Sequence, residues 1–288
     1  MKTLMHLALA VAFLVAPGPA LAQDPTLDKI KLSGEIVIGY RHDAAPFSSA
    51  SGDEAPVGYT IDLCLEAVRG LQRELALPGL GIRYEEIDPT NHIAKLKAGN
   101  VDLVCGATTA TLKRREQVSF SLLTYVTGSE LLVHDESGVR SGQDLEGRRV
   151  GVRQGTTSEA ALTAGLAAEG IDARIVGFPQ HSDGLEALED RRIDAYFGDR
   201  ILLIKLADQA REPGRLTLSS RFLTYEPYAL MMRRDSPDFR LSIDRTISRL
   251  YRTREINQIY DKWFGDLKAL HNELLLKGMY HLQSLPEG

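Results

Sequence analysis

The chain has 288 residues, 34 basic and 39 acidic side chains, and a formal charge of −5. An acidic balance without a concentrated basic face argues against nucleic acid as a partner. It leaves room for a small charged ligand, because a pocket can be cationic inside an acidic protein. The length suits one or two compact domains with real cores.

Met1 to Ala22 reads as a signal peptide. Lys2 is followed by an apolar run from Leu7 to Ala16 that is too short for a membrane span, and Ala20-Leu21-Ala22 has the small-x-small pattern of a cleavage site. The mature, exported chain would begin at Gln23. No later segment approaches a span. Glu35 to Tyr40 is an apolar, β-branched strand, and Asp62 to Leu75 spaces Leu63, Ala67, Val68, Leu71 and Leu75 as a helix. Gly81 to Ile87 is a strand. Asn91 caps a helix carrying Ile93 and Leu96 that ends at Gly99. Val101 to Cys105 is a strand. The rhythm restarts after residue 140, with strands at 149–152, 174–177 and 193–197 and helices at 157–168, 183–190 and 200–210. Leu96…Val101-Asp102 is echoed by Leu188…Ile193-Asp194 at equal spacing, which suggests two related halves.

Two β-rich stretches, Thr124 to Val133 and Leu223 to Met232, read as strands crossing between the halves. The expected fold is therefore α/β and two-lobed, with two parallel-dominated sheets joined by two hinge strands. Lobe one would comprise 23–128 and 228–288, and lobe two 129–227. Helices at 242–250 and 255–264 would return to lobe one. The 267–282 stretch would pack as a tail through Leu270, Leu274, Leu275, Met279 and Leu282. Cys64 reads as a helix residue and Cys105 as a core strand residue. They are read as two small buried side chains rather than a bridge, although export permits a bridge. Two cysteines build no metal motif, and no residue set calls for a cofactor.

In an open α/β sheet, ligands bind beyond the carboxyl ends of the strands. The loops there are Tyr40 to Phe47, Gly106 to Arg114, Gln154 to Thr157 and Gly198 to Arg200. Gly155-Thr156-Thr157 opens a helix, and its free N–H groups suit a carboxylate. Arg114 can grip a carboxylate through two parallel hydrogen bonds. Asp199, from the other half, suits an ammonium group. Together they form a clamp for a zwitterion.

The order Pro46-Phe47, Gly58-Tyr59-Thr60-Ile61-Asp62, Gly106-Ala107-Thr108-Thr109, Arg114, Phe120-Ser121, Gln154-Gly155-Thr156-Thr157 and Asp199 resembles the polar amino acid solute-binding proteins of ABC transporters (solute-binding family 3), over about residues 27–266. The nearest branch is the glutamate/aspartate-binding one, through Arg41, Cys105-Gly106, Gly155 to Glu159, His181 and Trp263-Phe264. The resemblance implies that Arg114 holds the ligand α-carboxylate with help from Thr109 and Thr157. It implies that Asp199 holds the ammonium with help from Thr109 and the Ala107 carbonyl. Arg41 and His181 would face the ligand side chain. The departures are Ala107, where the family often has serine, and His92 and Pro89, where the branch has an arginine and a serine. The implied protein is a monomeric periplasmic carrier of glutamate/aspartate or glutamine/asparagine. It would close about its hinge and dock on a membrane permease. The alternative on the same scaffold is a cyclohexadienyl dehydratase-like enzyme with Glu159 or His181 as its acid. A soluble sensory module is a third reading.

Overall fold

In the computed structural model, residues 24–52, 54–219, 223–270 and 273–287 are described. The expected signal segment and the cleavage point before Gln23 lie outside them. The described chain opens with a helix that the apolar periodicity does not announce, α1 (Pro25–Ser33). Asp24 sets its start by accepting the Thr26 and Leu27 N–H groups at 3.1 Å, and left-handed Gly34 ends it. There follow β1 (Glu35–Tyr40), the short pair β2 (Asp43–Ala44) and β3 (Ser48–Ser49), α2 (Tyr59–Glu74), β4 (Gly81–Glu86), α3 (His92–Lys97), β5 (Leu103–Cys105), α4 (Leu112–Arg115) and the long β6 (Val118–His134). The second unit is β7 (Arg149–Arg153), α5 (Thr157–Glu169), β8 (Arg174–Phe178), α6 (His181–Glu189), β9 (Ala195–Asp199) and α7 (Arg200–Ala207). Then come β10 (Leu216–Leu218), β11 (Thr224–Arg233), α8 (Pro237–Arg252), α9 (Ile256–Phe264) and α10 (Glu273–Leu282).

Each half contains a parallel trio, β4-β1-β5 and β9-β7-β8, as the strand–helix alternation requires. The long strands β6 and β11 pair antiparallel between the trios, with Pro227 opposite Val126 and Thr224 opposite Ser129. The two expected sheets and their two connecting strands are present. The pairing also runs unbroken through the connection, in the order β4-β1-β5-β11-β6-β9-β7-β8, with β10 added on β6.

Strand alternation places helices on both faces. Along β9, Ala195 and Phe197 pack with Val150, Val152 and Leu162, whereas Tyr196 packs on the opposite face with Leu188 and Leu203. In the other half, β1, α2, α8, α9 and α10 share one core through Ile36, Leu63, Ile243, Phe264 and Met279. Phe47 sits inside an aromatic cluster, 4.9 Å from the Tyr125 ring, 5.1 Å from Tyr228 and 5.6 Å from Phe264. The sequence echo has a structural counterpart. Asp102 accepts the Val37 N–H at the start of β1 at 3.0 Å, and Asp194 accepts the Arg149 N–H at the start of β7 at 2.8 Å. Both aspartates tie the same strand end in their own half. Among the described residues no helix is long and apolar enough to cross a membrane.

Four expectations need correction. Cys64 and Cys105 are bridged, joining α2 to β5 across a Cα–Cα distance of 6.4 Å. Both are buried, as expected, but helix and strand lie close enough for bonding. Asn91 stands at the start of α3 without capping it. Its Oδ1 instead accepts the Asp88 N–H, while Asp88 Oδ1 accepts the Thr90 and Asn91 N–H groups. Helix α8 starts five residues before the expected Ser242, because Pro237 fits the first helical turn. In α10 the buried face is Leu276, Met279 and Tyr280, whereas Leu274 and Leu282 are exposed. The helix is set by Tyr280, whose hydroxyl lies 3.0 Å from that of Tyr59.

Gly58 holds the turn into α2 at φ 146°, and a Cβ there would lie 2.1 Å from the Phe47 carbonyl oxygen. That oxygen accepts the Thr60 N–H at 3.0 Å, so it is not free to move. Gly58→Ala is expected to destabilise the fold by at least about 2 kcal/mol. Urea denaturation of the variant beside the parent chain checks this.

Candidate functional site

The strand ends converge where the loops were expected to meet. A narrow cavity of about 30 Å³ is lined by all eight singled-out residues: Arg41, His92, Ala107, Thr109, Arg114, Thr157, His181 and Asp199. Pro89, Arg153, Ser158 and Leu202 complete much of the wall.

Each side chain is placed by a local structural reason. Arg41 follows β1, and its main chain is locked by Ser48, whose hydroxyl accepts the Arg41 N–H and donates to the Arg41 carbonyl, both at 2.9 Å. Thr109 and Arg114 follow β5. Thr111 caps α4, and the Arg114 guanidinium donates to the Thr109 carbonyl at 2.9 Å, which fixes its direction. Thr157 is the first residue of α5, behind the capping hydroxyl of Thr156. His92 and His181 are the first residues of α3 and α6. Asp199 ends β9 and precedes α7.

Asp199 is buried and accepts three hydroxyls: Ser129 at 2.8 Å, Ser158 at 2.9 Å, and Tyr228. Burial and the nearby Glu226 raise its pKa, while the hydroxyls oppose that rise. Glu226, on β11, is a second buried carboxylate that sequence reading missed. Its Oε2 accepts Thr109 Oγ1 at 2.7 Å and Thr157 Oγ1 at 3.0 Å. Those two threonines therefore spend their protons on Glu226 and offer lone pairs to a ligand. Burial lowers the pKa of Arg114, and Glu226 and Asp199 act against that.

At the other end of the cavity stands a second unforeseen group. Asp43 Oδ1 accepts the Arg41 Nε–H at 2.8 Å, and its Oδ2 accepts the Nε–H of Arg153, the last residue of β7, at 3.0 Å. This ion pair joins the loop after β1 to the end of β7, with both side chains almost fully buried. Burial works against the Asp43 carboxylate. Arg41, then His181 and Arg153, nevertheless hold its pKa well below the usual range, so it stays ionised. The signal that could have found the pair was present: Asp43 and Arg153 both stand at strand ends beside residues already singled out.

Three buried polar atoms in this region lack a hydrogen-bond partner: Arg41 Nη2, His92 Nε2 and His181 Nε2. Arg41 Nη2 lies 2.7 Å from Asp43 Oδ1 but without an aligned N–H. His92 Nδ1 lies 2.9 Å from the Asp88 carbonyl and must donate to it, which leaves Nε2 as an acceptor in the neutral ring. His181 Nδ1 meets the Tyr196 hydroxyl at 3.0 Å. Burial, aided by Arg114 for His92 and by Arg41 for His181, lowers the two imidazoles to about 4 and about 3. Orphaned polar atoms around one cavity are what a ligand would satisfy.

The depressed imidazole pKa values have a stability consequence. An unfolded histidine takes a proton near pH 6.5, whereas these two refuse it until about 4 and about 3. The unfolded state therefore binds more protons in between, so stability is complete above about pH 6.5 and falls as the pH drops towards 3. Thermal melts should shift down steadily from pH 7 to pH 4.5. His181→Gln should flatten that slope.

A cleft between two α/β units, walled by charged and hydroxyl side chains from both, defines a two-lobed small-solute-binding protein. The chain belongs to the bacterial extracellular solute-binding proteins, family 3, whose model matches residues 36–266. It is 34% identical over 263 residues to the L-glutamate/L-aspartate-binding protein of Pseudomonas aeruginosa, covering 91% of this chain and 87% of that one. Among solved structures it is similar to a mutant of ArgBP from T. maritima, with TM-score 0.73, 25% identity, and coverage of 83% of this chain and 99% of the other. It is also similar to the ancestral amino acid-binding protein AncCDT-1, a precursor of cyclohexadienyl dehydratase, with TM-score 0.72, 25% identity, and coverage of 83% and 99%.

Proposed function

We propose that this chain is the exported substrate-binding component of an amino acid ABC importer and binds an amino acid whose side chain ends in a carboxylate or a carboxamide. One observation carries the reading: Arg114 and Asp199 wall a single cavity from opposite units. Arg114 takes the α-carboxylate. Asp199 takes the α-ammonium, with the Thr109 and Thr157 oxygens and the Ala107 carbonyl beside it. Arg41, His92 and His181 face the side chain. The lobes, 23–128 with 228–288 and 129–227, close about β6 and β11, because only the closed form touches the ligand from both sides. The closed monomer is then presented to a membrane permease, with no nucleic acid involved. The similarity to a glutamate/aspartate-binding relative supports the ligand class.

Binding without turnover is the reading the side chains favour. Glu159, a candidate acid, does not line the cavity. Its carboxylate accepts the Gly155 N–H at 2.8 Å. His181 is neutral at the pH of the periplasm and is held by Tyr196. Calorimetric titration with the common amino acids, together with a direct assay for water and carbon dioxide loss from prephenate or arogenate, tests this. Saturable binding of a polar amino acid and no product are expected. Turnover would overturn the carrier reading.

A further inference from the structure

We propose that Arg153 is a specificity-determining residue: from the second unit it supplies, beside Arg41, a second guanidinium for a carboxylate at the end of the ligand side chain. The proposal rests on the amino acid carrier reading above and narrows its ligand to a dicarboxylic amino acid.

The first argument is placement. Arg41 follows β1 in the first unit, and Arg153 ends β7 in the second. Both line the cavity that Arg114 and Asp199 wall, and both are almost wholly buried. Asp43 does not line that cavity. It lines the neighbouring pocket, with His42, Glu54 and Lys205. One Asp43 oxygen accepts the Arg41 Nε–H at 2.8 Å, and the other accepts the Arg153 Nε–H at 3.0 Å. It therefore ties the two guanidiniums together from outside the cavity wall, across the two units.

The second argument is charge. At this end two guanidiniums share one buried carboxylate. The imidazoles add nothing, because His92 and His181 are neutral at pH 7, and Arg41 and Arg153 both work against a proton on His181. Asp88, the next carboxylate that feels Arg153, is half-buried and spends its oxygens on Thr90 and Asn91. One positive charge is therefore left over among the buried groups, where an unanswered charge is costly. A carboxylate on the ligand side chain answers it. A carboxamide does not.

The third argument is the hydrogen-bond inventory. Arg41 commits its Nε–H to Asp43. Arg153 commits its Nε–H to Asp43 and makes a long bond from Nη1 to the Gln154 carbonyl, at 3.4 Å. No described residue accepts a hydrogen bond from Arg41 Nη1 or Arg153 Nη2, and Arg41 Nη2 is buried without an aligned acceptor. A carboxylate accepts on both oxygens, so it can take a charge-assisted bond from each guanidinium. A carboxamide has one accepting oxygen and turns N–H donors towards the other cation.

The test is calorimetric titration with glutamate, glutamine, aspartate and asparagine at pH 7.5. The parent chain should bind at least one acid more tightly than its amide, by about tenfold or more. Arg153→Gln removes the charge and should cut that acid-to-amide ratio by about tenfold or more, with the amide affinity changing far less. A residue that only holds the cleft together would lower both affinities in proportion and leave the ratio alone. Arg153→Lys keeps the charge without the fork, and its ratio should lie between those of the parent and Arg153→Gln. The proposal is overturned if the parent chain binds the amides as tightly as the acids, or if folded Arg153→Gln keeps the parent ratio. Should Arg153→Gln not fold, the parent ratio decides. Either overturning result leaves the carrier standing. Failure of every amino acid to bind the folded chain would sink the carrier itself.

Discussion

Arg114→Ala is expected to weaken amino acid binding by at least about 30-fold, and to abolish it at the sensitivity of ordinary calorimetry. The guanidinium is half-buried and aimed by its bond to the Thr109 carbonyl. Around it stand Glu226 and Asp199, whose charges favour its charged form. Its removal deletes the cation proposed to face the α-carboxylate and leaves Asp199, which lines the cavity, and Glu226 behind it without that partner. Truncating one partner of a buried, hydrogen-bonded charge pair costs about 2–5 kcal/mol, which is about 30-fold or more in affinity. The fold should persist, because α4 is one short turn with no buried residue and its Thr111 cap remains. Circular dichroism of the variant should therefore match the parent. Unchanged affinity would mean that the carboxylate lies elsewhere.

Replacing both Cys64 and Cys105 by serine should lower the stability of the chain by about 4 kcal/mol, the loop-closure value for a bridge of this span. The bridged residues lie 41 positions apart and both are fully buried. For a chain of this size the loss corresponds to a fall in melting midpoint of about 8–16 °C. The bridge also pins the end of β5, immediately before the Gly106-to-Thr109 loop that lines the cavity, so the same variant should bind its amino acid more weakly. A reducing agent should reproduce the shift in the parent chain and do nothing to the double variant. An identical midpoint in both would show that the bridge contributes nothing to stability.

The fold was legible wherever local pattern decides the outcome. β1 could be read residue for residue, because a run of apolar and β-branched residues ends in the Tyr40–Arg41 loop. The second βα unit was legible to within a few residues for the same reason. The two crossing strands were legible because long β-rich stretches have no other place in a strand–helix alternation. Misreadings arose where a distant partner decides. Asn91 lost the cap to Asp88, three residues away, which offers a carboxylate to two N–H groups at once. The packed face of α10 is chosen by Tyr59 and Tyr251, over two hundred and about thirty residues earlier in the chain. The bridge between Cys64 and Cys105 depends on how α2 leans on β5, which spacing does not encode.

The site divides in the same way. The eight residues read from strand ends and resemblance all reach one cavity. Asp43, Arg153 and Glu226 were missed because their meaning lies in their partners: Arg153 is 110 residues from Asp43, and Glu226 is 117 from Thr109. Only folding brings these charges together.

The central claim is that an amino acid is gripped between two lobes that close on it. Small-angle X-ray scattering of the folded chain, with and without a saturating amino acid found by titration, tests it most directly. The account predicts a smaller radius of gyration on binding in the parent chain, and no change for Arg114→Ala at the same ligand concentration. Saturated binding with an unchanged radius in a chain that is open without ligand would contradict it.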